Sequence, residues 1–209
     1  MVDDTLPATE QLLADRPEHI VPWGNRRPAV ERDDPRNTHG FDMRLPAPAQ
    51  HQGELHNLSV RRGTLTDEDR FKINDHIVQT FTMLKGLPWP AGLEGVPHMA
   101  ATHHERLDGQ GYPRRLGAEA LTLEDRVMAL ADVFEALTAA DRPYKPAKSL
   151  TESLRIMAFM ARDQHLDPEL FRYFLRSRLW AQFGHDYLQP AQRDEVNLDA
   201  IEALITPSP

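Results

Sequence analysis

The sequence predicts an all-α protein, on three observations. From Thr66 onward helix start and stop signals alternate, the apolar residues between them recur at helical spacing, and no stretch shows the alternation of a half-buried strand. The first fifty residues differ. Seven of the seventeen prolines fall there, with Trp23-Gly24-Asn25, Asp33-Asp34-Pro35 and Pro46-Ala47-Pro48 among them. Proline removes a backbone donor and restricts the residue before it, so a long helix is excluded. After a short helix at about 5–15, residues 18–52 read as an extended, irregular segment whose modest apolar content can pack on a neighbour.

The elements follow in order. Thr66-Asp67-Glu68-Asp69 resembles a capping box, with Asp in place of the usual Glu or Gln, and opens a helix to about Lys85. Phe71, Ile77, Phe81 and Leu84 form its apolar face, and Gly86 and Pro88 end it. A second helical stretch holds Val96, Met99 and Ala100. Thr122-Leu123-Glu124-Asp125 starts a third helix, with Val127, Leu130, Ala131, Phe134 and Leu137 as its stripe. Ser149-Leu150-Thr151-Glu152 reads as a full capping box ahead of Leu154, Met157 and Met160. Asp167-Pro168 supplies an N-cap and a first-turn proline before Leu170, Phe171, Phe174 and Leu175. A last short helix is expected over about 197–205.

Composition narrows the chemistry. With 32 acidic residues against 24 Lys and Arg, the net charge of −8 argues against a nucleic-acid polymer as ligand. The absence of Cys excludes disulfides, thiolate metal sites and a cysteine nucleophile. No apolar run approaches a membrane span, and the acidic start lacks a signal peptide's basic region. A soluble protein of the cytoplasm is expected, whose metal ligands, if any, are His and carboxylate.

Three places offer such ligands. His76 lies at the edge of the apolar face of the helix from Thr66, where it reads either as a histidine satisfied by a carbonyl or as a ligand. His103 and His104 follow the Val96 stretch, and Asp132 interrupts the run from Val127 to Leu137, where a buried carboxylate is costly unless something cationic meets it. Together they make a thiolate-free set suited to iron, manganese, zinc or nickel. Next comes the string His103-His104-Glu105-Arg106-Leu107-Asp108-Gly109-Gln110-Gly111-Tyr112-Pro113, which ends a helix and enters a glycine-rich loop able to approach a ligand closely. A lone Asp-Gly would be only a helix stop.

The whole string resembles the HHExxDGxGYP signature of the HD-GYP phosphodiesterases, which hydrolyse cyclic di-GMP in bacterial signal transduction. Leu87-Pro88-Trp89-Pro90, the run Ala131-Asp132-Val133-Phe134-Glu135-Ala136-Leu137-Thr138, and Asp141-Arg142-Pro143-Tyr144-Lys145 resemble further motifs of that family, in the same order. The resemblance covers about residues 54–195. It implies an HD-domain-like helical bundle, preceded by a proline-rich segment over 1–53 and followed by a C-terminal helix and tail over 196–209. By motif position it implies His76, His103, His104 and Asp132 as metal ligands for one to three ions of iron or manganese. It implies Gly111, Tyr112 and Pro113 as the shape of the substrate pocket, and Arg142 and Lys145 as phosphate contacts. Clustered metals would polarise a phosphoryl oxygen and generate the attacking hydroxide; no side chain is assigned as the catalytic group.

The family's His-Asp dyad has no counterpart ahead of His76. The adjacent pair His185-Asp186 comes too late in the chain and reads as a turn or cap, while His39, His51 and His56 lack the dyad's neighbours but remain candidates to replace missing ligands. The segment from Glu54 to Thr66 resembles a subgroup in which an insertion follows the dyad, which implies a partial domain, the C-terminal part of a longer enzyme. Its partner would then be upstream sequence or another chain, with exposed apolar surface favouring homo-oligomers. The alternatives are a degenerate, non-catalytic module that binds a cyclic dinucleotide or a protein, and a related hydrolase of another nucleotide.

Overall fold

The computed structural model describes residues 15–61, 63–140 and 147–206. Among them are eight α-helices and one two-stranded sheet, so the fold class is all-α as expected. The helix expected at about 5–15 lies outside the described residues, as do Arg142 and Lys145. Contacts divide the chain into two units, Met1–Gln79 and Thr80–Pro209.

In the first unit the proline-rich segment is irregular but packed. Val30, Phe41 and Met43 are buried. Asn37 organises the turn between them: its side-chain amide donates to the carbonyls of Glu31 and Phe41, and its oxygen accepts from the Phe41 N–H. The strands β1 (Ile20–Val21) and β2 (Gln50–His51) pair antiparallel, Ile20 opposite His51. Two residues per strand are too few for periodicity to register, which is why the sequence shows no sign of them. Trp23 sets its ring edge-on to Phe71 at 5.5 Å and donates to the Pro46 carbonyl. A short helix α1 (Glu54–Leu58) precedes α2 (Asp67–Lys85). Thr66 and Asp69 exchange the two hydrogen bonds of the expected capping box, and Phe71 and Ile77 are buried.

The second unit is a helical cluster. Helices α3 (Val96–Thr102), α4 (Leu123–Thr138), α5 (Leu150–Arg162), α6 (Pro168–Ser177), α7 (Leu179–Tyr187) and α8 (Leu198–Ala203) follow one another. Helix α5 lies against α4, α6 and α8, and α3 packs on α4. The core is Leu130 and Phe134 from α4, Leu154, Met157, Ala158 and Ala161 from α5, Phe171 and Leu175 from α6, Trp180 from α7, and Ile201 from α8. Phe134 meets Phe174 and Phe183 edge-on at 5.2 and 5.4 Å, a preferred aromatic geometry. Asp167 caps α6 as expected, accepting from the N–H groups of Glu169 and Leu170.

Two local expectations are corrected. On α4 the core face runs through Ala129, Leu130, Phe134 and Thr138, whereas Val127 and Ala131 are exposed. The buried face shares Leu130 and Phe134 with the expected stripe, Leu137 packs against the core, and Ala129 and Thr138 take the places expected of Val127 and Ala131. Ser149 supplies only half a capping box: its hydroxyl accepts from the Glu152 N–H, but Glu152 pairs with Lys148 at 3.4 Å instead of reaching back. Asp194 takes that place, accepting from the Ser149 hydroxyl and the Thr151 N–H.

Between α4 and α5, buried Gln192 donates through its amide to the Thr138 and Lys148 carbonyls, at 2.8 and 3.1 Å.

Candidate metal centre

The end of α3 sets the geometry. His103 is its C-cap residue, still in helical conformation, so His103 and His104 project close together. Their ring centroids are 4.3 Å apart, tilted by 48°. His103 Nδ1 lies 2.8 Å from the Ala100 carbonyl. A ring that donates Nδ1–H to a carbonyl carries its lone pair on Nε2, the arrangement usual for a metal-ligating histidine. His104 turns Nδ1 towards Asp132 on α4, 3.9 Å from its carboxylate. The two imidazoles thus stand together with the Asp132 carboxylate beside His104, a thiolate-free set of nitrogen and oxygen donors that suits a divalent transition metal. Asp132 is half-exposed, not buried as its place in the apolar run suggests, so its carboxylate keeps contact with water; its place beside His104 is what distinguishes it.

Tyr112 closes one side, its ring 4.8 Å from that of His104. Burial, and then the Asp132 charge, push its phenol up to about 12, so it remains a protonated donor at neutral pH. Gly111 and Pro113 are buried beside it. Gly109 takes a positive φ of 71° at the Asp-Gly turn, as expected of that dipeptide. Gly111 is also a point of close backbone approach. A Cβ there would lie 2.4 Å from Glu105 Cα and 2.6 Å from the His104 carbonyl oxygen, so the close approach is to the chain's own backbone.

Behind the pair lies a polar network that sequence reasoning missed. The Thr102 hydroxyl, one residue before His103, donates to buried Asp125 at 2.6 Å. Asp125 also accepts from the N–H and hydroxyl of Thr122, completing the capping box of α4. His98 lies 3.5 Å from the same carboxylate, and its other ring nitrogen is 3.2 Å from the Arg114 guanidinium. The Arg114 guanidinium stacks over the Phe81 ring at 4.5 Å. Glu105, the third residue of the string, is buried, and burial raises its carboxyl pKa against the opposing donations of the Arg114 and Leu116 N–H groups. Only the capping box is readable locally, because the remaining partners are 9 to 33 residues apart.

The other candidates are placed as follows. In the first unit His76 is exposed on α2, with Nδ1 directed at the Ile73 carbonyl, the local arrangement foreseen for it and the same tautomer logic as His103. His51 and His56 stack on each other at 4.1 Å. His56 pairs with buried Glu68 at 3.1 Å and His51 lies 3.7 Å from Asp15. His39 packs on Phe41. Among the described residues these three join no group of ligand atoms close enough to hold an ion. His185 and Asp186 pair with each other, exposed within the last turn of α7; contrary to the turn or cap expected, they lie inside the helix, whose C-cap is Leu188. No helix of the described residues is long and apolar enough to cross a membrane.

The HD domain family model matches residues 7–170. A 3',3'-cGAMP-specific phosphodiesterase of Vibrio cholerae serotype O1 is 45% identical over 128 residues, 60% of this chain and 29% of that protein. A cyclic di-GMP phosphodiesterase of Pseudomonas aeruginosa is 36% identical over 115 residues, 55% of this chain and 27% of that protein. The cyclic di-GMP phosphodiesterase response regulator RpfG of Xanthomonas campestris pv. campestris is 32% identical over 139 residues, 65% of this chain and 36% of that protein. This chain therefore spans only about a quarter to a third of these relatives' length. With the family match covering most of the sequence and the paired histidines leading into the GYP loop, the chain belongs to the HD domain family, in its HD-GYP branch.

Proposed function

We propose that this chain serves the metal-dependent hydrolysis of cyclic di-GMP in the cytoplasm, through a helical HD-GYP domain over about residues 54–195. The observation that carries the reading is the grouping of His103, His104 and Asp132 beside Tyr112. In it, His76, His103, His104 and Asp132 hold one to three ions of iron or manganese. When bound, such ions supply Lewis acidity towards a phosphoryl oxygen and make water nucleophilic near neutral pH. The chain's own residues orient the parts. The Ala100 carbonyl holds the His103 ring, Tyr112 offers its O–H as a donor to a phosphate oxygen, and Gly111 and Pro113 shape the wall on which the nucleotide rests. Arg142 gives phosphate a planar, two-pronged contact and Lys145 a point charge. Sequence upstream of the domain, or a partner chain, supplies the missing dyad.

A second reading concerns the base. The 45% identity to a phosphodiesterase named as 3',3'-cGAMP-specific favours a mixed guanine–adenine dinucleotide, which shares the diester ring and differs in one base edge.

The test begins with metal per chain, by elemental analysis after aerobic and anaerobic purification. It continues with hydrolysis of cyclic di-GMP and 3',3'-cGAMP, alone and with the upstream segment added in trans. His103→Ala with His104→Ala is expected to abolish metal retention; unchanged metal content would sink the ligand assignment. Binding of both dinucleotides without cleavage under every condition would make the chain a non-catalytic binding module.

A further inference from the structure

Glu105 directly follows the two histidines, yet its side chain leads away from them. It is only 2% exposed, and its two oxygens accept separately from the main-chain N–H of Arg114 at 2.7 Å and of Leu116 at 2.9 Å. Around it the loop folds back on its own start. The Tyr112 N–H donates to the His104 carbonyl, and Ala118 N–H to that of Leu107. Asp108 and Gly117 pair across the base. Gly111 lies so close to Glu105 that any Cβ would displace one of them. The carboxylate is thus the internal support of a loop whose outer face carries Tyr112. Two N–H donors pointing at one side chain need two acceptors. A glutamine offers one acceptor and turns an NH2 towards the other N–H, leaving a buried donor unpaired.

We infer that Glu105 is a positioning residue for the dinucleotide: it holds Tyr112 and Pro113 against the His103–His104 pair and takes no part in holding metal. The inference rests on the cyclic dinucleotide reading above and adds a division of labour within the string. The histidines serve the ions, whereas the glutamate serves the substrate loop and acts only through it.

The experiment uses the metal-loaded full chain, with the upstream segment if turnover needs it, as wild type, Glu105→Gln and Gly111→Ala. Gly111→Ala wedges the loop off the Glu105 main chain while leaving the carboxyl group itself intact. Three quantities are read for each: metal per chain, the separate KM and kcat for cyclic di-GMP, and hydrogen exchange of the Arg114 and Leu116 amides. For both variants metal content should stay at the wild-type value. For Glu105→Gln, KM should rise about tenfold or more with kcat far less affected, and the two amides should exchange about tenfold faster or more, as expected for a lost hydrogen bond to a charged group. The double variant should be no worse than the more severe single one, because both release the same loop.

Metal lost in Glu105→Gln but kept in Gly111→Ala would make Glu105 a ligand and overturn the inference. Unchanged KM with unchanged exchange would overturn it as well. If the wild type neither binds nor cleaves a cyclic dinucleotide, the functional reading fails instead, and the exchange rates decide the loop support by themselves: faster exchange upholds it, wild-type exchange overturns it.

Discussion

Replacing Asp125 separates the packing of the site from its chemistry, and the structure gives the size of the effect. Asp125 accepts from the Thr102 hydroxyl on one oxygen, and from the Thr122 N–H and hydroxyl on the other. In Asp125→Ala the side-chain half of the α4 capping box is lost, about 0.5–1 kcal/mol. The Thr102 hydroxyl also loses a charged acceptor, about 1.5–3 kcal/mol, softened because the same hydroxyl still reaches the Met99 carbonyl at 3.1 Å. The total of about 2–3 kcal/mol should lower Tm by roughly 4–12 °C for a chain of this size. Asp125→Asn is the control. Its oxygen can keep the Thr122 N–H while its NH2 faces Thr102, whose hydroxyl then donates to Met99 alone, so the cost should stay near 1 kcal/mol or below. Urea titration and thermal melting of the three proteins measure the difference. Equal losses for Ala and Asn, or an Ala loss below about 1 kcal/mol, would refute the argument that this carboxylate ties α3 to α4.

Further outcomes follow from the core and the caps. Phe171 has no exposed surface, so Phe171→Ala should cost about 3–5 kcal/mol in urea melts, while Tyr173→Ala two positions along, at a residue 67% exposed, should change stability by about 0.5 kcal/mol or less. Burial pushes the Asp167 carboxyl up, but the Leu170 and Glu169 N–H groups and the Arg126 guanidinium outweigh it, and the Thr151 N–H and Ser149 hydroxyl do the same for Asp194; both end below the ordinary 3.8. Their stabilisation is therefore present above that value and is lost as pH falls below it through the folded values. Urea midpoints measured from about pH 6 to pH 2.5 should fall less steeply in Asp167→Asn and Asp194→Asn than in the wild type. Removing the His56 imidazole leaves the buried Glu68 carboxylate short of a partner, so His56→Ala should destabilise the chain more than His185→Ala, whose ring is exposed and pairs only with Asp186; paired urea melts measure both.

What the sequence makes legible is what is local. The Thr66 box, the helix start at Thr122 and the Asp167 cap each need residues within three positions, and all three appear as expected, the Thr122 start with a capping box besides. The Ser149 box is only half formed because Glu152 turns to Lys148 instead of reaching back, and Asp194, 45 positions after Ser149, accepts from the Ser149 hydroxyl. The His103–His104–Tyr112 grouping is legible as a string, since a helix end and a tight loop bring neighbours in sequence together. Asp132 is legible as an interruption, although for the wrong physical reason: its meaning lies in His104, a residue of another element. Glu105, Thr102 and His98 look ordinary in sequence, because burial and a partner's direction exist only once the chain has folded.

The Gln192 amide has a bearing on how this family can vary. One side chain from a later segment holds the carbonyl that closes α4 and another just ahead of α5. The residues joining those two points include Arg142 and Lys145. With both exits held from outside, length in between can change without shifting either helix, and doubling a loop costs only about 0.6 kcal/mol in closure entropy. The spacing of Arg142 and Lys145, the residues proposed above to meet phosphate, is thereby free to change against an unchanged helical frame, so differences in ligand preference among relatives are to be sought in the length of this connection as much as in the identity of its residues.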